Sequence, residues 1–123
     1  KESGYDIHMM NIYCLLNFLR EVPDGKHINR MYHGNSTVSL AARVAHSLRQ
    51  TVLEEIDFGI DFHTGGANRY NFPQTRFAPN DFRAREISRA FNAPISMESK
   101  LIDKSIRKEA AFERYCSALY VSY

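Results

Sequence analysis

The stretch that most constrains the fold runs from residue 57 to residue 66 and reads Asp-Phe-Gly-Ile-Asp-Phe-His-Thr-Gly-Gly. Phe58, Ile60 and Phe62 fall at alternate positions, which is the spacing of a pleated strand. The Thr-Gly-Gly that follows is expected to end the strand, because glycine frees the backbone. His63 is therefore predicted at the carboxyl end of a strand, the edge where open α/β sheets bind ligands. On local sequence alone, a lone histidine at that place is more often a hydrogen-bonded structural residue than a ligand.

Regular elements are predicted on both sides of this strand. In chain order they are a strand over 5–13, a helix over 40–55, the strand over 57–63, a helix over 81–92, a short strand over 94–97, a helix capped by Asp103 or Ser105, and a strand over 118–121. The segment from 65 to 79 is predicted to be irregular. Because strand, helix and strand follow one another, a crossover unit with parallel pairing is expected. The fold class is therefore α/β, a partial mixed sheet flanked by helices.

Composition excludes several classes of protein. The 123 residues carry a net charge of +2 and no basic stripe, so nucleic acid is not an expected partner. No apolar run approaches the length of a membrane helix, so no membrane partner is expected either. Cys14 and Cys116 form no metal motif or disulfide framework, and a cytoplasmic location is the default. Nothing in the sequence specifies an oligomeric state.

The two ends of the chain suggest a larger protein. Residue 1 is Lys, and residues 117–123 form an apolar, strand-like run with no polar tail after it. Since domains rarely stop inside a strand, we expect residues 1–123 to be a single partial domain that is truncated at both ends.

A second stretch, residues 22–34, combines a turn with residues that suit anion binding. Its Val-Pro-Asp-Gly-Lys sequence is a turn, because Pro presets φ and Gly accepts positive φ. Asn29 and Arg30 follow, and a guanidinium beside an amide suits a carboxylate. A solvated arginine next to a turn asparagine is the simpler interpretation of this dipeptide taken alone.

Both stretches together resemble one family of enzymes. Residues 20–30, Arg-Glu-Val-Pro-Asp-Gly-Lys-His-Ile-Asn-Arg, with Met-Tyr-His-Gly after them, look like the signature Arg…Pro-Asp-Gly-Lys-Asp-Leu-Asn-Arg-x-Phe-Pro-Gly. Residues 60–66 look like its Ile-Asp-Leu-His-Thr-Gly. The chain thus resembles the succinylglutamate desuccinylase/aspartoacylase group of zinc hydrolases, which are relatives of the zinc carboxypeptidases, and the order of motifs agrees over nearly its whole length.

The resemblance implies a role for each matching residue. His63 corresponds to a zinc ligand, and Asn29 and Arg30 correspond to the pair that grips a substrate carboxylate. Arg20 corresponds to the catalytic arginine that stabilises the charge on the scissile carbonyl oxygen. The implied reaction is zinc-dependent hydrolysis of an amide or ester of a small carboxylate-bearing molecule, such as an N-acyl amino acid.

Departures from the family pattern keep an alternative open. The other two zinc ligands are expected outside this chain, in a His-Gly-x-Glu motif, and the general-base Glu is either replaced near Ser122 or follows Tyr123. His27 stands where the family has Asp, and Cys14 replaces a usual Gly. We therefore expect the 123 residues alone to be inactive. The alternatives are a degenerate module that binds carboxylates without catalysis, and an interaction domain in which His63 is packed and dry.

Overall fold

A mixed four-stranded sheet forms the centre of the computed structural model, which describes residues 4–17, 19–63, 70–114 and 117–122. The strands are β1 (Phe58–His63), β2 (Gln74–Phe77), β3 (Ile95–Glu98) and β4 (Ser117–Ser122), in the spatial order β1-β4-β2-β3. β1 runs parallel to β4, β4 antiparallel to β2, and β2 parallel to β3. Helices accompany the sheet: α1 (Ile12–Asn17), α2 (Leu40–Leu48), α3 (Phe82–Phe91) and α4 (Ile106–Arg114).

One face of the sheet is covered by α3. Phe77 of β2 and Ala84 of α3 are buried together, with Ile87 and Phe91 packed against them. On the same face, hydrogen bonds link the hydroxyl groups of Thr75, Ser88 and Ser96. We call these three residues the hydroxyl cluster. The Thr75 and Ser88 oxygens are 2.5 Å apart, as are the Ser88 and Ser96 oxygens. Successive side chains of a strand point to opposite faces. Since Thr75 and Ser96 face α3, the face on which each of the remaining strand residues lies follows from its register with them.

A second apolar core lies along α2. Its buried members come from α2, from the segment before it and from the turn after it: Val22, Ile28, Tyr32, Ala41, Ala45 and Leu53. The helix begins at Leu40, after Ser39 accepts a hydrogen bond from the Ala42 amide at 3.2 Å. Beyond Leu48 it continues as a π-helical turn over Arg49–Leu53.

Gly34 allows the segment before α2 to approach that helix closely. Its φ is +81°, and a Cβ placed there would come within 2.3 Å of the His46 amide nitrogen. Any L-residue with a side chain would therefore be both strained and in collision with the backbone. The glycine that ends the motif at residues 22–34 is thus required by the packing of α2.

Most predicted elements are confirmed. The strand over 57–63 and the helix over 81–92 are present as β1 and α3, and Asp81 caps α3 by accepting from the Ala84 amide at 2.9 Å. The short strand, the last helix and the last strand also form, as β3, α4 and β4. The Thr-Gly-Gly that was expected to end β1 lies outside the described residues.

Two predicted elements are wrong. Residues 5–13 do not form a strand: residues 4–11 follow an irregular path and Ile12–Asn17 is a short helix. Met9 and Ile12 are about half exposed there, so the apolar alternation has no sheet to pair with. β1 accordingly takes its parallel partner from β4, and not from a strand that precedes α2. The segment over 65–79 is not wholly irregular, because Gln74–Phe77 forms strand β2. Thr75 and Phe77 are buried there.

Candidate metal and carboxylate site

His63 and Asp61 project from the carboxyl end of β1 on the face opposite α3. Phe62 lies in register, through Val121, with Thr75, whereas Asp61 lies in register, through Tyr120, with Arg76. His63 Nε2 is 2.7 Å from Asp61 Oδ2, and the two side chains are 29% and 16% exposed. A carboxylate on one ring nitrogen sets the tautomer and orientation of a histidine and leaves the other nitrogen to act as ligand.

Tyr32 lies in the core along α2 and is almost completely buried, at 1% exposure. Its hydroxyl oxygen is buried too, and has no hydrogen-bond partner in the part of the chain that the structure describes. Burial raises the pKa of Tyr32 above its ordinary value, and the negative charges of Asp61 and then Glu109 raise it further. The phenol therefore stays protonated at neutral pH.

Glu109 of α4 is the second of these carboxylates and is 3% exposed. Its Oε1 forms an ion pair with Arg49 Nε at 3.2 Å and lies 2.7 Å from His33 Nδ1. A buried carboxylate needs such partners, because an unpaired charge in the interior is costly. We call Tyr32, Asp61, His63 and Glu109 the charged cluster. Its members come from β1, from the residues before α2, and from α4.

Asn29 and Arg30 lie in a 3₁₀ turn, Ile28–Arg30, two residues before Tyr32. Asn29 Oδ1 accepts from the Ile106 amide at 2.8 Å and so caps the amino end of α4. This bond fixes the plane of the Asn29 side-chain amide. Its NH₂ group is left to donate to other acceptors. Arg30 is exposed, and its Nη1 donates to the Asn29 carbonyl at 2.5 Å.

His27 does not supply the support that an aspartate would give to this turn. It is the residue before the 3₁₀ turn, and its side chain makes no capping hydrogen bond. Its Nε2 lies 3.5 Å from Glu21 Oε1 instead. The turn is held by Asn29 at α4 and by Asp24, whose Oδ2 accepts from the Ala41 amide at 3.3 Å.

Arg20 lies on the exposed segment between α1 and Val22, where its carbonyl accepts from Asn11 Nδ2 at 3.3 Å. Asn29 and Arg30 thus lie on the turn that leads to Tyr32, and Asp61 and His63 lie together at the end of β1.

Sequence reasoning missed Asp61, Tyr32 and Glu109. The signal for Asp61 was available, since residues two apart on a strand share a face and Asp61 is two before His63. Tyr32 also carried a signal, because the family signature has Phe at that position. No local signal identifies Glu109, which is brought to His33 only by the packing of α4.

Comparison with known proteins identifies the fold first. The chain is similar to a succinylglutamate desuccinylase/aspartoacylase from Rhodobacter sphaeroides, with 26% identity and a TM-score of 0.70 over 84% of this chain and 31% of that one. It is similar to an aspartoacylase family protein from Mesorhizobium loti, with 21% identity and a TM-score of 0.81 over 93% of this chain and 38% of that one. The product-bound ectoine utilization protein EutE from Ruegeria pomeroyi is also similar, with 24% identity and a TM-score of 0.61 over 80% of this chain and 33% of that one. The fold is therefore zinc carboxypeptidase-like, as predicted.

The family follows from the sequence match. The sequence model of one protein family, the succinylglutamate desuccinylase/aspartoacylase catalytic domain, matches residues 7–121. The chain therefore belongs to that family. It spans about a third of the length of the solved structures named above. None of the curated proteins matches it significantly.

The described residues fit one position of a zinc site. A histidine with a carboxylate on its second nitrogen is the usual form of a protein zinc ligand, and His63 has that form. Within residues 4–17, 19–63, 70–114 and 117–122, no three His, Cys, Asp or Glu side chains are grouped so that they could hold a metal. In the same ranges, no helix has the length and apolar character needed to cross a membrane.

Proposed function

We propose that this chain is the central part of the catalytic domain of a zinc-dependent deacylase. The substrate would be an amide or ester of a small molecule that carries a carboxylate, such as an N-acyl amino acid. The observation that carries the proposal is the Asp61–His63 pair at the carboxyl end of β1, in a chain that belongs to a family of deacylases. A member of the same fold, EutE, has a structure with product bound.

In this proposal His63 is one zinc ligand and Asp61 orients its ring. When bound, zinc supplies a water of lowered pKa and a Lewis acid for a carbonyl group. With Nε2 facing Asp61, the metal-binding nitrogen would be Nδ1. The remaining ligands are expected outside the 123 residues.

The substrate carboxylate would be bound by Asn29 and Arg30. Arg30 offers a planar fork of donors, which matches two carboxylate oxygens, and Asn29 is held in place by the amino end of α4. Arg20 would place a guanidinium near the scissile carbonyl and stabilise the charge that develops on its oxygen. The domain is expected to be cytoplasmic.

Zinc content per chain tests the proposal first. We expect the 123 residues alone to hold no zinc tightly, and a longer chain from the same source, extended at both ends, to hold one. His63→Ala should remove that zinc, while His8→Ala, a change of a histidine that is 88% exposed, should leave it. A longer chain that folds without zinc, or that keeps it in His63→Ala, would contradict the role of His63.

Arg30→Lys in the zinc-loaded protein tests carboxylate binding. Lysine keeps the charge but loses the fork, so the substrate KM should rise about tenfold or more with little change in kcat. Arg83→Lys, an exposed arginine at the start of α3, is the matched control and should leave KM unchanged. Equal kinetics for wild type and Arg30→Lys would reject this role.

The alternative, a carboxylate-binding module without catalysis, is supported by one observation. Ser122 is the residue of β4 in register with His63, and residues 117–122 contain no carboxylate that could act as the base. In this alternative a carboxylate ligand binds to the protein, Arg30→Lys weakens that binding, and no substrate is hydrolysed with zinc present.

A further inference from the structure

Gln74 and Arg76 of β2 are polar residues to which the proposed function gives no role. They alternate along the strand with Thr75 and Phe77, which are buried against α3. Because successive side chains of a strand point to opposite faces, Gln74 and Arg76 lie on the face away from α3. Both are partly exposed there, so a ligand on that face could reach them.

The same face carries the Asp61–His63 pair. Phe62, which stands between these two residues in β1, turns its ring toward α3, where its centroid is 6.1 Å from that of Phe91. Asp61 and His63 therefore point away from α3. Polar side chains of β1 and of β2 thus share one side of the sheet.

Strand register places Gln74 in one row with His63. Each of them pairs with Ser122, which lies between them on β4. Since neighbouring strands are about 4.8 Å apart, the backbones of Gln74 and His63 are about 10 Å apart across the sheet. Arg76 occupies the next row, together with Asp61. The beginning of β2 therefore lies at the carboxyl end of β1, which is the edge where α/β sheets bind ligands.

Gln74 orients the guanidinium of Arg76 toward this edge. Arg76 Nε and Nη2 both donate to Gln74 Oε1, at 3.2 and 3.1 Å, and Gln74 is the nearer of the two residues to the carboxyl end of β1. The acceptor is a neutral amide, so it aligns the guanidinium without adding a negative charge. A guanidinium carries five N–H donors in a rigid fork, and that fork matches the two oxygens of a carboxylate.

We propose that Arg76, aligned by Gln74, binds a second carboxylate of the substrate and so determines which N-acyl amino acids the site accepts. The first carboxylate is the one assigned to Asn29 and Arg30. The separation of the His63 and Gln74 rows is one that an extended N-acyl amino acid can span. The inference rests on the proposed function, because it assigns Arg76 to the substrate of the same site.

Three probes that differ only in their carboxylates test the inference. They are N-acetylglutamate, which has two carboxylates, and its two monoamides, in which an amide replaces either the α-carboxylate or the side-chain carboxylate. Their affinities can be measured by isothermal titration calorimetry with the metal-free longer chain, so that no probe is hydrolysed. Arg76→Lys keeps the charge and loses the fork. Arg83→Lys, at an exposed arginine of α3, is the matched control.

Arg76→Lys should weaken the binding of N-acetylglutamate about tenfold. It should weaken one monoamide to the same extent, namely the one that keeps the carboxylate bound by Arg76, and leave the other monoamide unchanged. Arg30→Lys should show the reverse pattern. The unchanged monoamide also shows that the variant is folded. Gln74→Ala should repeat the pattern of Arg76→Lys with a smaller loss, and Arg83→Lys should change no affinity.

Four outcomes would overturn the inference: no binding of N-acetylglutamate to the unmutated chain, no loss in Arg76→Lys, an equal loss for all three probes, or the same monoamide affected by Arg76→Lys and Arg30→Lys. The third would show that Arg76 only supports the structure, and the fourth would place both arginines on one carboxylate. Because these affinities are measured without metal, they separate this inference from the proposed function, which fails on zinc content.

Discussion

The two faces of the sheet carry polar clusters of opposite character. The hydroxyl cluster under α3 is neutral, and each hydroxyl lies within 2.5 Å of another member. The charged cluster contains two carboxylates, a partly exposed histidine and a buried hydroxyl without a partner among the described residues, and its Asp61–His63 pair lies on the other face. A cluster whose members satisfy one another needs no ligand, whereas the second cluster includes His63, which is 29% exposed at the carboxyl end of β1. The difference favours the second cluster as the place of the proposed binding site.

Charge also sets how much each cluster should matter for stability. Glu109 of α4 is 3% exposed. Its ion pair with Arg49 ties α4 to the π-helical turn that contains Arg49. The hydroxyl cluster holds α3 to β2 and β3 through neutral hydrogen bonds alone. Because an unpaired buried charge costs more than a lost neutral hydrogen bond, the charged cluster should be the more sensitive of the two.

Glu109→Gln is expected to have the largest effect on stability. It replaces the charged partner of Arg49, which is 25% exposed and 3.7 Å from Glu54, with a neutral amide. The free energy of unfolding should fall by about 3 kcal/mol. This is the low end for a broken buried pair, because Arg49 remains partly solvated and keeps its contact with Glu54. Urea unfolding of the purified protein measures this change.

The matched control is Glu86→Gln, which removes a carboxylate from a pair with Arg89 whose side chains are 69% and 68% exposed. An exposed pair of this kind contributes less than about 1 kcal/mol. If Glu109→Gln and Glu86→Gln destabilise the protein equally, Glu109 is no more important than a surface charge and the comparison between the two faces fails.

The parts of the site that could be predicted are those specified by adjacent residues. The alternation of Phe58, Ile60 and Phe62 is local, and it correctly places His63 at the end of a strand. The turn at residues 22–34 is also local, because Gly25 and Gly34 both have positive φ. Local patterns therefore place the groups that are proposed to carry the chemistry.

The parts that could not be predicted depend on contacts between distant residues. Glu109 meets His33 across 76 residues of sequence, and Asn29 meets Ile106 across 77. No periodicity or spacing records such pairs, because they are made by the packing of α4. The wrongly predicted strand over 5–13 is a second example of a structure that depends on distant residues. Its apolar alternation is genuine, but a strand also needs a neighbouring strand to bond to, and β1 bonds to β4.

Ser88→Ala should produce a smaller effect that is confined to one face. It removes the central member of the hydroxyl cluster, while Thr75 Oγ1 keeps a contact with the Ile95 carbonyl at 3.4 Å. Unfolding free energy should fall by about 1 kcal/mol, and the NMR signals of the His63 ring should stay unchanged because α3 lies on the opposite face. Ser47→Ala, at an exposed serine of α2, is the control and should change stability by less than about 0.5 kcal/mol. A shift of the His63 signals in Ser88→Ala would show that the two faces are coupled, and the hydroxyl cluster would then belong to the functional part of the molecule.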